Sequence, residues 1–553
     1  MRDLLLAAAG FASLALAAWG ARSSSVEHTA TLLSAGGLLF ALVGGRYLVL
    51  LVRSSRPAMR SVALGATIVV LALAVTTTST DVAAGRLASQ PSTAGADERV
   101  SAALAALVAD ADGLPVVAAT GAEGSLPPSV VRAGFPTLLA GDVTVLETRG
   151  ILDGALNRVF EARLRALHAI YGGDAAAARD ALRAYHVAYI LVSEGERQRF
   201  GTTAGQALEQ LSREGVLTRT FDQGNVILYH MATGSTPPPW VATAPALEAP
   251  PIDGMLRVAL DQLPRIDDYA WNALATNNQP LAVLLWLLLL EILGLLVWPL
   301  TRRIFGRWHD GGWAWSKLFG LLLWGYVVWL VASFHLVPYS VVAVAFGLVL
   351  VGVVVALAAG WRPRSGTLRA LFAGGLRSHR GAILRSEALF LVAFGAWLLV
   401  RAANPDLWHP YLGGEKPFEF GFLNAILRSP YMPPADPFFS GGVINYYYYS
   451  LFLMSLPIKA IGVAPAIGFN IAIAMLFALV VAGSAALVRE LTGRWRYGLV
   501  GVLFVAILGP LSGAIHPERG LAFLLRHLQS GLAGWGGRIG DWFWGPSRTI
   551  PYT

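Results

Sequence analysis

The residues most suited to chemistry lie in one polar segment, 401–449, which separates long apolar runs and is rich in Gly, Pro and aromatic residues. Carboxylates there suit proton transfer or the binding of Mg²⁺ or Mn²⁺, cations suit a phosphate, and tyrosines suit a sugar or a lipid. A membrane bundle needs apolar helices but no long polar loop, so such a loop is typical of a functional site. Its titratable members include Asp406, His409, Glu415, Lys416, Glu419 and Asp436, followed by tyrosines at 446–449.

Each of these residues also has a structural interpretation, and the residues alone leave the choice open. Glu415 and Lys416 suit a solvated pair at a turn, and Asp406 and Asp436 lie beside prolines, where aspartates cap turns. The tyrosine run suits an anchor at the membrane interface, and Asn445 suits the cap of a following helix.

The composition indicates a polytopic membrane protein rather than a soluble enzyme. Of the 553 residues, 55% are hydrophobic and only 14% are charged, and the mean hydropathy is +0.57. No cysteine is present, which excludes disulfides, thiolate nucleophiles and Cys-ligated metals. The net charge of +8 comes from arginines beside the apolar runs, so it indicates topology and predicts no nucleic-acid partner.

Nine apolar runs are predicted to cross the membrane as helices, the first of them a retained helix rather than a cleaved signal. They are residues 4–20, 30–52, 61–78, 280–300, 314–334, 338–360, 386–402, 464–488 and 497–515. Arginines concentrate in the loops at 53–60, 301–312, 361–385 and 489–496. By the positive-inside rule these loops and the N-terminus are cytoplasmic, and residues 80–278 and 403–463 are extracytoplasmic. The chain is thus predicted to be a multi-pass protein of the cell membrane.

Residues 446–462 leave two topologies open. If residues 446–462 crossed the membrane, the three arginines of 489–496 would lie on the outer side. The other basic loops all fit a cytoplasmic position, so this topology would violate the positive-inside rule. We therefore predict that 446–462 lies along the outer surface, anchored by its tyrosines. The predicted membrane segments are 1–79, 279–402 and 464–515, with an outer loop and surface helix at 403–463 and an outer segment at 516–553.

Residues 80–232 predict a small α/β domain, and a Pro-rich linker follows at 233–278. The pattern gives a helix at 98–111, a strand at 114–120 and, after a helix capped by Asp174, a strand at 187–193. Two further strands around an Asp-Gln-Gly turn predict a hairpin. The predicted fold class is a polytopic α-helical membrane protein with one extracytoplasmic α/β domain.

Four motifs of the 401–449 segment carry a family resemblance: GGEKP at 413–417, FLNAILRS at 422–429, PPxDPFFSGG at 433–442 and NYYYY at 445–449. With these motifs the chain resembles the YYY-type membrane proteins, a family without an established activity. That family in turn resembles the GT-C glycosyltransferases, which use polyprenyl-phosphate-linked sugars. The second resemblance implies a GT-C-like arrangement of the second half and a sugar-transfer site in its first outer loop.

The GT-C resemblance also implies roles for individual residues. Glu415 follows Arg401, which ends a predicted span, and glycines precede it, so it is the implied catalytic acid. Asp436 and Asp406 are the implied further catalytic carboxylates, and Glu415 with Asp436 would hold Mg²⁺ or Mn²⁺. The implied phosphate and sugar contacts are Arg401, Lys416, Asn445, Tyr446, Tyr447, Tyr448 and Arg548, the last within GPSRTIP, which resembles the second outer motif of oligosaccharyltransferase-like proteins.

Two other stretches resemble opposite ends of a YYY-type unit. Residues 168–200 are similar to the extracytoplasmic domain that closes such a unit, and residues 310–330 are similar to the opening of one. The resemblance therefore predicts a tandem, with the end of one unit followed by the start of a second.

The favoured function is a GT-C-like glycosyltransferase, with membrane lipid and a lipid-linked sugar as partners. The alternatives are a non-catalytic envelope scaffold and a transporter of lipid or sugar. A transporter needs polar residues along its spans, and these spans are almost bare apart from Glu291, Glu387 and Lys317. For Glu291 we predict a role in helix packing or a partner arginine.

Overall fold

The computed structural model describes residues 94–111, 113–121, 126–140, 155–231, 264–358, 367–403, 405, 407 and 415–507. The three predicted spans before residue 80 lie outside the described residues. Asp406 and His409 of the polar segment also lie outside the described residues, as does Arg548, a predicted phosphate contact.

A four-stranded sheet forms the centre of the α/β domain, with strands β1 Val116–Ala118, β2 Val187–Val192, β3 Leu217–Gln223 and β4 Val226–Met231. The strand order is β1-β2-β4-β3, with β1 parallel to β2 and the other neighbours antiparallel. The central strand β2 is almost wholly buried, because its run VAYILV is apolar on both faces. The tight β3–β4 turn places Gly224 at φ +63°, a backbone conformation that glycine adopts without strain.

Helices cover both faces of the sheet, and their apolar side chains pack against the strands to form two hydrophobic cores. They are α1 Ala94–Asp110, α2 Pro128–Val131, α3 Ala155–Tyr171, α4 Ala175–Ala184, α5 Glu194–Phe200 and α6 Gln206–Arg213. Asp174 caps α4 as the sequence predicts, accepting hydrogen bonds from the backbone N–H groups of Ala176 and Ala177 at 2.8 and 3.2 Å.

Five helices in the described part of the chain are long and apolar enough to cross a membrane. After a short helix, α7 Ala273–Asn277, these are α8 Gln279–Phe305, α9 Trp313–Ser333, α10 Val341–Ala358, the stretch Leu376–Ala402 of α11 Thr367–Ala403, and α14 Pro465–Thr492. They coincide with five of the predicted spans. The predicted span at 497–515 is described only in its first part, as α15 Trp495–Val502 and a π-turn at Leu503–Ile507.

Two shorter helices, α12 Lys416–Arg428 and α13 Tyr449–Ile461, lie between α11 and α14. At 13 residues, α13 extends about 20 Å and is too short to span a hydrocarbon core of about 30 Å. Phe452, Leu456 and Lys459 of α13 are fully buried, and the helix packs among α8, α9, α10, α12 and α14. Its place along the outer membrane surface stays a prediction.

The helix bundle has two distinct ends. At one end the α/β domain, the turn before α10 and the 401–449 segment meet; there the backbone N–H of Tyr339 donates to the carbonyl of Pro430 at 2.6 Å. At the other end the arginine-rich connections meet, and the backbone N–H of His309 donates to Glu490 Oε1 at 2.9 Å. We call these the domain end and the basic end.

Candidate functional site

Helix α12 positions Glu415 and Glu419 on one face at the domain end. Pro417 lies in its first turn, and Glu415 occupies the N-cap position without a side-chain cap bond. The backbone N–H of Glu419 donates to the carbonyl of Glu415 at 2.9 Å, so the two carboxyl groups stand one helical turn apart. Glu415 is exposed and Glu419 is half-buried. Burial, and then the charge of Glu415, raise the pKa of the Glu419 carboxyl.

An exposed aromatic pair stands beside these carboxyl groups. The rings of Tyr446 and Tyr447 have centroids 3.7 Å apart, and the two residues are 47% and 70% exposed. Phe418 of α12 meets the Tyr446 ring edge-on at 5.9 Å, and Tyr446 interacts electrostatically with Glu415. The tyrosine pair therefore contacts the first turn of α12 through Phe418, and this turn directly follows Glu415.

The other two tyrosines of the run face the bundle instead. Trp329 of α9 donates its indole N–H to the Tyr448 hydroxyl at 2.9 Å, and its ring meets Tyr449 edge-on at 6.2 Å. Tyr448 is the N-cap residue of α13. Asn445 is exposed and lies three residues before that position, so its interpretation as the helix cap is wrong. Tyr448 is half-buried and Asn445 is exposed, and the substrate contacts assigned to both stay predictions.

The predicted phosphate contacts Arg401 and Lys416 occupy different settings. Arg401, at the end of α11, is buried and donates from Nε to Asn470 Oδ1 of α14 at 2.8 Å. Asn470 in turn donates to the Pro405 carbonyl at 3.1 Å, so this network ties α11 to α14. Lys416 is the first residue of α12 and adjoins Glu415.

Asp436 lies in a turn whose backbone it stabilises. Its carboxylate accepts a hydrogen bond from the backbone N–H of Phe438 at 2.8 Å, and Arg163 of the α/β domain is the nearby cation. Burial raises the pKa of Asp436 from 3.8 to about 6. No interaction that the structure describes joins Asp436 to Glu415. That these two side chains share a metal ion stays a prediction.

The described residues contain no group of three or more His, Asp or Glu side chains arranged to hold a metal ion. Sequence reasoning counted Glu419 among the titratable residues but gave it no role, and it missed two residues of this region, Phe418 and Arg163. The spacing of Glu415 and Glu419 in a predicted helix is a signal that could have given Glu419 a role. No local pattern marks Arg163, because its partners lie far away in the sequence.

Replacing Asp436 by Asn tests the buried carboxyl. The pKa of the Asp436 carboxyl is higher in the folded protein than in the unfolded chain. The contribution of this carboxyl to the free energy of unfolding is therefore fully present below about pH 4 and is lost as the pH rises through about 6. Asn retains the acceptor for the Phe438 N–H. We expect Asp436→Asn to raise the free energy of unfolding at neutral pH by on the order of 1–3 kcal/mol and to flatten its pH dependence across this window.

Chemical unfolding of the purified protein across acidic to neutral pH measures this effect. Asp180→Asn, at an exposed position of α4, is the matched control and should leave the profile unchanged. A neutral-pH loss of stability in Asp436→Asn would contradict the expectation and indicate that the charged form is held by a favourable partner.

A second charged cluster joins three of the apolar helices. The Lys317 ammonium lies 2.6 Å from Glu387 Oε2 and 3.2 Å from Glu291 Oε1, and the Trp313 indole N–H donates to Glu387 at 2.8 Å. The partner of Glu291 is therefore a lysine on α9, and the expectation of an arginine partner is wrong. Lysine serves here because its compact ammonium reaches both carboxylates from one position.

The five apolar helices and the polar segments packed at their ends define a helical membrane protein. Residues 323–553 match the model of a family of uncharacterized membrane proteins, DUF2298. The matched range includes the 401–449 segment, with Glu415 and the tyrosine run. No curated protein and no solved structure matches the chain.

Proposed function

We propose that the chain is a GT-C-like membrane glycosyltransferase that takes its sugar from a polyprenyl phosphate at the outer membrane face. The observation that carries the proposal is the exposed pair Tyr446–Tyr447 against Phe418 in the first turn of α12, the helix start that also carries Glu415 and Glu419. The two tyrosine rings would provide an apolar surface for a sugar, the tyrosine platform, and Glu415 would provide a carboxylate for proton transfer, all at exposed positions. The concentration of arginines at the basic end favours a cytoplasmic position for that end and an outer position for the site.

The tyrosine pair would seat the sugar. The face of a sugar ring carries C–H groups that pack against an aromatic ring, while its hydroxyls bond to polar groups at the rim. The exposure of both rings leaves their outer faces available. Tyr448, Tyr449 and Trp329 pack behind the pair and fix the backbone that carries it.

Glu415 would accept the proton of the attacking hydroxyl. It is an exposed carboxylate at the start of a rigid helix, next to the platform, and general bases act within hydrogen-bond reach of the proton they remove. Glu419 would hold the second carboxyl position, where burial and the neighbouring charge favour a protonated acid. Lys416 adjoins Glu415 and would neutralise part of the phosphate charge. A role for Mg²⁺ or Mn²⁺ held by Glu415 and Asp436 stays a prediction, which the Mn²⁺ titrations below test.

Donor binding tests the assignment of Glu415. We expect a polyprenyl-phosphate sugar to raise the melting temperature of the detergent-purified chain, since a ligand at about 100 times its Kd stabilises by about 2.7 kcal/mol. Glu415→Gln and Tyr446→Ala should each weaken binding about tenfold, or about 1.4 kcal/mol. Glu98→Gln, at an exposed carboxylate of α1, is the control. Parallel titrations with and without Mn²⁺ separate metal-dependent binding from binding to the protein alone.

Absence of stabilisation of the wild-type chain, with and without Mn²⁺, would overturn the proposal and favour the envelope scaffold. Stabilisation that survives Glu415→Gln and Tyr446→Ala would place the donor elsewhere on the chain. Transport of the lipid-linked sugar into empty vesicles, without sugar transfer, would favour the transporter.

A further inference from the structure

Arg163 of α3 joins the α/β domain to the 401–449 segment. Its side chain is almost fully buried, and its guanidinium donates from Nη1 to the Leu138 carbonyl at 2.7 Å and to Ser440 Oγ at 2.9 Å. From Nη2 it donates to the Ser440 carbonyl at 2.8 Å. The same guanidinium lies 3.6 Å from the centroid of the Phe439 ring. One side chain thus holds both the backbone and an aromatic ring of the segment.

Backbone pairing surrounds this contact on both sides. The N–H groups of Thr137 and Ala140 donate to the carbonyls of Pro437 and Phe438 at 3.1 and 2.8 Å. In return, the Ser440 N–H donates to the Thr137 carbonyl at 2.9 Å. Residues 437–440 therefore lie against the α/β domain as an added strand would, and the domain is docked rather than loosely tethered.

Aromatic contacts continue from this turn to the exposed tyrosines. The centroid of the Phe438 ring lies 4.8 Å from that of Phe418 and 5.3 Å from that of Phe422, and both of these residues are on α12. The Phe418 ring centroid in turn lies 5.9 Å from that of Tyr446, whose ring packs at a tilt of 34° against Tyr447. A displacement of Phe438 removes the support of Phe418, which is the ring that contacts the tyrosine pair from α12.

We propose that Arg163 is a positioning residue for the tyrosine platform. It fixes the turn at 436–440 against the α/β domain, and through Phe438 and Phe418 it sets the orientation of Tyr446 and Tyr447 that receives a sugar. The identity of that ligand rests on the proposed function, whereas the mechanical coupling from Arg163 to the tyrosines does not.

The chemistry of arginine explains why this position needs its planar fork. Two carbonyls and one hydroxyl accept from the two terminal nitrogens, and the flat face packs on a ring, an arrangement that lysine cannot reproduce. A neutral replacement leaves the buried carbonyls of Leu138 and Ser440 without donors. We therefore expect loss of Arg163 to loosen the turn even where the α/β domain itself stays folded.

The experiment compares Arg163→Gln and Arg163→Lys with Arg165→Gln. Arg165 lies on the same helix, but its side chain is 72% exposed and forms a surface ion pair with Glu161 at 3.9 Å, so it is the matched control. Hydrogen–deuterium exchange is measured for peptides covering 436–440 and 445–449, together with donor Kd, KM and kcat. For Arg163→Gln we expect at least tenfold faster exchange in both peptides and about tenfold weaker donor binding, seen in KM with kcat little changed. Arg163→Lys should recover only part of this effect, and Arg165→Gln should match wild type.

Phe438→Leu perturbs the aromatic contacts between the turn and the tyrosines while it leaves the hydrogen bonds of Arg163 intact. It should speed exchange at 445–449 and raise KM without the increase at 436–440. The coupling is overturned if exchange at 445–449 stays at the wild-type rate in both Phe438→Leu and a folded Arg163→Gln. If wild type binds no donor, the proposed function fails, and the exchange rates still decide whether Arg163 orients the tyrosines.

Discussion

Lys317→Met is expected to lower the free energy of unfolding by about 3–5 kcal/mol, because it leaves two partly buried carboxylates without their buried cation. The Lys317 side chain is only 4% exposed and lies between Glu291 and Glu387. Its ammonium also lies 4.9 Å from the centroid of the Phe390 ring. Methionine fills nearly the same volume, so the loss reports the uncompensated charges rather than a cavity.

Thermal and chemical unfolding of the detergent-purified protein measure this loss. The control is the triple variant Lys317→Met, Glu291→Gln, Glu387→Gln, which has no uncompensated charge and should recover most of the stability. The deficit of Lys317→Met should also shrink at acidic pH, where protonation neutralises the carboxylates. Wild-type stability of Lys317→Met at neutral pH would show that the two acids do not depend on this lysine.

Five of the nine predicted spans are helices of spanning length in the described residues, and sequence could predict them because an apolar run of that length has few alternatives. The helix ends agree with local signals, such as Asn278 capping α8 and Gly493 ending α14 in the left-handed conformation. The protein surroundings of α13 could not be predicted in the same way. A largely apolar helix has nearly the same pattern whether it meets lipid or protein, and here its neighbours include five other helices.

The candidate site could be predicted only in part. The motifs of the 401–449 segment place Glu415 near the tyrosine run, but they do not show that Tyr446 and Tyr447 face outward while Tyr448 and Tyr449 face the bundle. That division depends on Trp329, which lies 119 residues before Tyr448. Arg163 is separated from Ser440 by 277 residues, so no sequence pattern links them. Contacts of this kind follow from domain docking, which local periodicity does not encode.

Gly134→Ala is expected to destabilise the docked protein by about 2–5 kcal/mol, through backbone strain and through overlap at the domain interface. Gly134 has φ +67°, and an added Cβ would lie 2.4 Å from the backbone nitrogen of Ala425 and 2.5 Å from the carbonyl carbon of Asn424. Both atoms belong to the backbone of α12 and cannot rotate away. The α/β domain would have to move off α12, which would break the bond from Asn424 Nδ2 to the Val131 carbonyl at 2.9 Å.

Gly215→Ala separates the backbone strain from the steric overlap that Gly134→Ala combines. Gly215 lies in the same domain and also has a positive φ, +73°, but no atom lies within 4 Å of an added Cβ. We expect it to cost only about 1–2 kcal/mol, the strain of the left-handed backbone. Hydrogen exchange should then rise at 131–135 and 420–428 in Gly134→Ala alone, while strands β2 and β4 keep their protection in both variants. Equal losses in the two variants, with unchanged exchange along α12, would mean that the close contact at Gly134 contributes nothing to docking. A larger loss in Gly134→Ala, confined to the interface, would show that the α/β domain and α12 are held together by backbone proximity that only glycine permits.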